Sequence, residues 1–591
     1  MEITSLDWLI IGAYFALALG VGLWASRTSG KSVSNFFLAG RSMPWWLLGV
    51  SMVATTFSTD TPNLVTGLVR ENGVSGNWGW WAFLLTGMLT VFVYARLWRR
   101  SGVMTDIEFY ELRYGGKPAA VLRGFRALYL GLVFNVLVMG AVSLAAIKLG
   151  GILLGWPGWQ TLLVTGLITL AYSTLGGLRA VILTDFVQFI LAMVGSIWAC
   201  WFILNLDDVG GLEALLTHEN VMSKTAMWPD LSDPSQWIPI LLVPLAVQWW
   251  SSYYPGAEPG GGGYIAQRMF SAKNESHAVG ATLLFNVAHY ALRPWPWILI
   301  ALASLIVFPE LTDIQRAFPD IPADKVGHDL AYPAMLSLLP TGLLGLVTAS
   351  LLAAFMSTMS TQLNLGASYL VNDFYVRFIK PDATDSQQVL AGRLATIISL
   401  VLGSGLGLML TDAEQAFNLL LLIGAGTGGL FILRWFWWRI NAWTELVAML
   451  GSLLVAGYFT FVHDALATEP VALVPLLADH EKLIWGSLLT TLIWLLATWL
   501  TPPESEVTLQ KFVRTVNPGG PGWRRWSEDH VTSSWAVPRG VLSMVLGSIG
   551  VYAALIATGS WIYSETIQAM ILTGVAVSSG AAVFLLNRRR S

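Results

Sequence analysis

Fifteen apolar runs of roughly 18 residues or more leave this chain one solvent in which to fold, because a run of that length spans the hydrocarbon of a bilayer as a helix. They fall near 6–26, 45–69, 78–98, 122–153, 157–177, 181–205, 236–256, 278–308, 333–376, 387–411, 415–436, 442–463, 481–501, 540–560 and 567–587. The first run has no basic segment before it and no small-residue cleavage site after it, so it is read as a retained span. With 55% hydrophobic and 12% charged residues, a water-soluble fold of 591 residues is excluded. An odd number of spans puts the termini on opposite sides, and the basic residues agree. Only Arg70, Lys148, Lys224, Arg316, Lys325 and Lys482 fall on one side. Apart from Arg293 inside span eight, the rest of the 33 Lys and Arg fall on the other, including Arg588 to Arg590. The positive-inside bias therefore predicts an outside N-terminus and a cytoplasmic C-terminus.

The longest polar stretches, about 207–235 and 502–538, are loops rather than domains, so any chemistry belongs in the membrane. No GxxxxGK[ST] phosphate cradle, HExxH metal motif or GxSxG nucleophile elbow occurs, and the single cysteine, Cys200, builds no disulfide within the chain. The chain is read as a non-enzyme: a channel, transporter or sensor. Interrupted helices separate these, since unwound backbone at membrane depth is tolerated where it lines a cavity. Span two, VSMVATTFSTDTPNLVTGLV, is broken by Asp60, Pro62 and Asn63. Span seven, LAVQWWSSYYPGAEPGGGGYIAQR, is broken by Pro255, Gly256, Pro259 and four glycines. Breaks five spans apart point to an inverted-repeat transporter with a central site. Proline kinks in ordinary membrane helices are the alternative.

Span nine carries LLAAFMSTMSTQLNL, where helical spacing puts Ala354, Ser357, Thr358 and Thr361 on one face and Ser357, Ser360 and Thr361 on an overlapping one. Hydroxyls, with carbonyls freed by a broken helix, suit a small hard cation. Hydroxyls that bond their own helix or glue neighbouring helices are the plainer reading.

Three ordered segments, GGLRAVILTDFVQ (176–188), YIAQRMFSAK (264–273) and YPAMLSLLPTGLLGLVTASLLAAFMSTMST (332–361), resemble the sodium:solute symporter family, which includes sodium/galactose, sodium/proline and sodium/sialic acid transporters. The resemblance runs from about residue 8 to 460. It implies an all-α integral membrane protein of the leucine-transporter type: a 5+5 inverted repeat within about 15 transmembrane helices. The expected divisions are 1–43 (extra helix and loop), 44–206 (first repeat, spans two to six), 207–235 (outer loop), 236–436 (second repeat, spans seven to eleven) and 437–591 (extra helices, spans twelve to fifteen). It implies sodium as coupling ion, held by the carbonyls of Ala54, Phe57 and Ala354 and the hydroxyls of Ser357 and Thr358. A possible second sodium would use Asp185, Ser360 and Thr361 and share Ser357; Asp185 as a helix cap is the other reading. The implied mechanism is alternating access with one or two sodium ions per small organic solute.

Solute-lining candidates lie between the two breaks: Thr56, Asp60, Thr61 and Asn63, with Trp80 and Phe83, with Gln248, Ser251, Ser252 and Tyr253, and with Asn418. Trp78, Trp80, Trp81, Trp249 and Trp250 stand where the family's sugar carriers are more polar; aromatic faces stack on sugars or organic cations. His289 and Arg293 join the set from span eight. An intramembrane arginine is a site candidate by default, and one facing the cavity would favour an acidic solute or amino acid. A sugar or sugar derivative is favoured, with amino acid or other carboxylate uptake as the alternative. A non-transporting sensor or a solute-gated sodium channel on the same fold stays open, weakened by the lack of an appended kinase module. The expected setting is a lipid bilayer, the plasma membrane and specifically a bacterial inner membrane, with no nucleic acid partner.

Overall fold

The computed structural model describes residues 3–29, 32–410, 413–467, 474–526 and 535–588. Among these residues every element is helical, and the one β-bridge joins Met43 to Ala272. Eleven helices are long and apolar enough to cross a membrane, from Ser5–Ala25 to Thr566–Arg588. The other four expected runs, 45–69, 157–177, 236–256 and 415–436, coincide with short, interrupted or sharply bent helices.

Seven helices position the site: α1 (Ser5–Ser29), α2 (Trp45–Thr55), α3 (Asp60–Asn72), α4 (Gly158–Leu204), α5 (Gly263–Ser271), α6 (Glu275–Val287) and α7 (Leu343–Ser368). Span two stops at Thr55 and restarts at Asp60. Pro62 explains the break, because it has no N–H and its ring would collide with the carbonyl four residues back if one helix ran through. The acidic Asp60 then sits in the first turn of α3, where the positive end of the helix dipole favours it. Span seven stops at Ser251 and resumes only at Gly263. Between them Gly256, Gly260 and Gly261 adopt φ values of +82°, +77° and +78°, a region closed to most side chains. A third interruption, at 425–427 with Gly426 at φ +81°, was not anticipated from the sequence.

The 47 residues of α4 would extend about 70 Å if straight. Gly177, at φ +54° and ψ −161°, turns the chain and makes two spans of them. The bent helix packs on α7, on α1 and on α2. Helix α7 is enclosed: of its 26 residues only Leu346 is not buried. The peripheral helices turn leucine, isoleucine and tryptophan outward, as at Leu9, Trp24, Trp201, Leu454, Leu500 and Ile571. Such faces suit lipid, which as a solvent is as apolar as they are.

A Cβ on Gly177 would stand 2.6 Å from the Phe36 carbonyl oxygen in a backbone conformation hostile to L side chains. Gly177→Ala is therefore expected to cost about 1–3 kcal/mol, seen as a lower unfolding temperature of the detergent-purified protein. An unchanged transition would show that the bend does not constrain the fold.

Candidate functional site

The break in span two leaves carbonyls without helical partners, and the structure supplies donors to them. Arg293 donates from Nη1 to the Val53 carbonyl and from Nη2 to the Thr56 carbonyl, both at 3.1 Å. Its guanidinium also lies over Trp297, 5.2 Å from the ring centroid. A cation at the C-terminal end of a half-helix is favoured by the dipole as well as by these bonds. From α7, Thr358 Oγ1 donates to the Thr55 carbonyl at 2.8 Å. The Ala54 carbonyl accepts from Phe57 N at 3.1 Å, and Ser360 Oγ donates to the Ser357 carbonyl at 3.0 Å.

One turn away, four helices converge on Asp185. Ser357 Oγ donates to its Oδ1 at 2.6 Å and Ser51 Oγ to its Oδ2 at 2.5 Å. The Arg268 Nη2 of α5 stands 3.5 Å from Oδ2 with both side chains wholly buried. The same nitrogen donates to Thr361 Oγ1 at 2.7 Å, and Arg268 Nε donates to Ser51 Oγ at 3.2 Å. Thr55 and Thr361 hydroxyls meet at 3.2 Å. Asp185 is thus a charge in a hydrogen-bonded cluster in mid-helix. Ser51, Thr55 and Arg268 were missing from the sequence-based set. Arg268 stands inside the segment YIAQRMFSAK, but reading the arginine as a loop residue hid it.

A cavity of about 110 Å³ opens where the two breaks meet. A Cβ built on Gly256 would lie 3.0 Å from the Thr56 methyl, which is how closely the two unwound segments approach. Thr56, Asp60, Thr61, Trp80, Phe83, His289, Arg293 and Thr358 line it together. Its walls are aromatic: Trp80 stacks on Tyr290 at 5.8 Å and Phe83 on Tyr254 at 5.3 Å. Trp80 Nε1 is spent on Asn77 Oδ1 at 2.8 Å, so the ring offers its face. Polar groups stand between these rings. His289 Nδ1 meets Thr56 Oγ1 at 3.1 Å, and Asp60 keeps Oδ1 without a partner. Ser58, Tyr254, Tyr264, Tyr290 and Gln362 also face this space and were not anticipated.

The remaining candidates lie elsewhere. Asn63 is buried on α3 with neither amide atom bonded, outside the cavity lining. Gln248 donates to the Gly79 carbonyl at 2.6 Å and, with Asn418, lines a second cavity of about 860 Å³. Leu64 lines both cavities. Ser252 is buried with its hydroxyl unbonded, and Ser251 meets Ser487 at 3.1 Å. Tyr253 turns away to pack edge-on against Phe134 and Phe431.

The geometry, an oxygen-lined helix break beside an aromatic cavity, has known counterparts. The family model described as "Sodium:solute symporter family" matches residues 36–453. The chain belongs to the sodium:solute symporter family. It is a multi-pass membrane symporter coupled to sodium, not an enzyme. A sodium/glucose cotransporter of Vibrio parahaemolyticus is 27% identical over 510 residues, covering 83% of this chain and 91% of its own. A sodium/myo-inositol cotransporter 2 of Mus musculus is 26% identical over 615 residues, covering 95% and 85%. Among solved structures, a substrate-bound outward-open state of a Na+-coupled sialic acid symporter superposes with a TM-score of 0.66 at 20% identity, covering 85% of this symporter and 99% of that chain. The two share a fold.

Within this symporter the pair Asp185–Arg268 has no water to fall back on. Arg268→Met strands a buried carboxylate and is expected to destabilise by about 3–5 kcal/mol, read by thermal unfolding in detergent. Asp185→Asn combined with Arg268→Met should recover most of that loss. A single substitution without effect would mean that the pair is not charged as drawn.

Proposed function

We propose that the symporter carries a neutral, sugar-type solute with sodium by alternating access, and that the sodium is held at the break of span two by the carbonyls of Ala54, Phe57 and Ala354 and the hydroxyls of Ser357 and Thr358. The donor set is all oxygen, of the kind a hard monovalent cation takes. Thr358 already reaches across from α7 to the broken end of α2, so an ion there ties the two helices together. An ion that favours one arrangement of those helices raises solute affinity, and by linkage the solute tightens the ion by the same factor.

The observation that carries the solute class is the commitment of Arg293. Its Nη1 and Nη2 each donate to a carbonyl of the break, Val53 and Thr56, and Nε is left without a partner; the end of the fork that would grip a carboxylate is taken by the protein's own backbone. Asp60 meanwhile lines the cavity with its Oδ1 buried and unbonded, a poor neighbour for an acid. Flat aromatic walls complete a site for a polyhydroxylated ring. The sodium/glucose and sodium/myo-inositol relatives are named for solutes of this kind. Thr56, Asp60, Thr61, Trp80, Phe83 and His289 are the proposed solute contacts. An amino acid or carboxylate solute has less support.

A second sodium at Asp185, Ser360 and Thr361, sharing Ser357, would have to share Asp185 and Thr361 with Arg268. The 5+5 inverted repeat receives support from the two broken spans meeting at Gly256 and Thr56. Fifteen spans, an outside N-terminus and a bacterial inner membrane complete the reading.

The test is uptake into proteoliposomes under an inward sodium gradient, screened over sugars, polyols, sialic acids and amino acids. A neutral sugar or polyol is expected to accumulate, and Ser357→Ala to raise the half-saturating sodium concentration by roughly tenfold or more, about 1.4 kcal/mol. Trp80→Ala is expected to raise KM for the solute while leaving sodium activation in place. The sodium Hill coefficient of the wild type against Asp185→Asn distinguishes one ion from two. Sodium flux without saturable solute uptake would replace symport by a channel, and uptake confined to acids would overturn the neutral-solute reading.

A further inference from the structure

The unwound part of span seven, Pro255 to Gly262, contains one charged residue, Glu258, which none of the steps above employs. It is 5% exposed, and its Oε2 has no hydrogen-bond partner. No ion pair of Glu258 occurs among the described residues. The surrounding glycines make room for it: a Cβ on Gly263 would stand 2.4 Å from Glu258 Oε1, and one on Gly262 3.2 Å from its Cβ. The glycine run is therefore a niche for a carboxylate as well as a flexible connection.

Across a cavity of about 10 Å³ stands a second orphan, Asn286. It is fully buried, its Nδ2 donates to the Thr282 carbonyl at 2.8 Å, and its Oδ1 has no partner. That oxygen, too, lies over a glycine, since a Cβ on Gly87 would meet it at 1.8 Å. Two residues with an unpaired oxygen, one a carboxylate and one an amide, thus line a space fit for one small ion or one water.

The charges around Glu258 do not resolve its burial. Asp106 lies on the far side of Gly262 and takes the Gly263 N–H at 2.9 Å and the Tyr369 hydroxyl at 2.5 Å. It occupies the N-terminus of α5, the place where a second anion would otherwise be favoured. Tyr253, Tyr264 and Tyr369 are the other titratable groups around Glu258. The nearby guanidiniums are engaged elsewhere, Arg126 with Tyr110, and Arg434 with Tyr110 and Glu445. A buried carboxylate without a counter-cation is costly enough that it takes one up.

We propose that Glu258, with Asn286 opposite, forms a second cation site of this symporter, separate from the break of span two, which holds one monovalent cation, either sodium or a proton. The site adjoins the solute cavity, since Gly256 and Ala257 line both spaces. Occupancy therefore neutralises a charge next to the solute site. Its role in coupling rests on the symport reading; its binding of a cation does not.

Two readouts on the purified full-length protein decide it. Equilibrium binding of radioactive sodium at alkaline pH is expected to fall by one ion per protein in Glu258→Gln if the cation is sodium. Infrared difference spectra on changing pH are expected to lose a protonated-carboxyl band in Glu258→Gln if it is a proton, with solute uptake then acidifying the liposome interior. Asn286→Ala keeps the carboxylate and should weaken whichever cation is bound by roughly tenfold, which covers the case of a Glu258 variant that does not fold. Unchanged sodium stoichiometry together with an unchanged carboxyl band in a folded Glu258→Gln protein, or an unshifted cation affinity in Asn286→Ala, would overturn the site. Absent sodium-driven uptake by the wild type would overturn the symport reading and leave both binding readouts in force.

Discussion

A helix that stops inside a membrane leaves carbonyl oxygens that water cannot reach, and much of this molecule is arranged around supplying them with donors. Buried arginine does so repeatedly. Arg293 closes the end of α2. Arg70 does the same at the end of Trp295–Val307, donating to the Ser304 and Phe308 carbonyls at 2.9 and 2.8 Å. Arg113 reaches the Arg434 carbonyl at 2.8 Å and the Ile440 carbonyl at 3.2 Å, past the end of Gly428–Leu433. The guanidinium suits the task because its donors are several, rigidly spaced and always charged. Where arginine does not supply the donor, a hydroxyl or an ion can, and the break of span two combines all three kinds of partner in the proposed site. Coupling and stability thus draw on the same carbonyls.

The same economy sets where charge can be left uncompensated. Asp185 is surrounded by Ser51, Ser357 and Arg268, so its burial is supported from three helices. Lys148, near the end of Asn135–Leu153, pairs with Asp329 at 2.7 Å. Glu258 stands out against these because its setting offers space and glycine but no base. A buried carboxylate set so is a place where ligand, rather than neighbour, completes the electrostatics.

Much of the architecture could be read from residues alone, for a physical reason: hydrocarbon thickness fixes the length of a span, and proline cannot be hidden in one. Pro62, Pro255 and Pro259 marked two breaks. The third, at 425–427, has no proline and relies on Gly426, so an apolar run concealed it. The hydroxyl face of α7 was legible through its helical spacing, whereas the partners that α2 and α5 bring to it were not. Arg268 was counted with loop cations because the rule for orientation treats arginine as surface charge; tertiary packing instead takes Arg113, Arg126, Arg268 and Arg434 into the interior. Tyr253 was placed in the cavity by its position next to a break, but the extended backbone after Ser251 turns it toward Phe431 and gives the place to Tyr254.

Leu64 lines both the central cavity and the larger one beside it, so its side chain stands at the boundary of the two spaces. Rotamers of such side chains exchange in picoseconds to nanoseconds, while helices shift against one another in microseconds to milliseconds. Elsewhere the central cavity is bounded by Pro255, Gly256 and Ala257 of the unwound segment, with a smaller space against Gly256, Ala257, Glu258 and Gly261. Change at these two boundaries therefore runs on different clocks: a rotamer suffices to alter the wall at Leu64, whereas the wall at Gly256 and Ala257 alters only with the backbone that forms it.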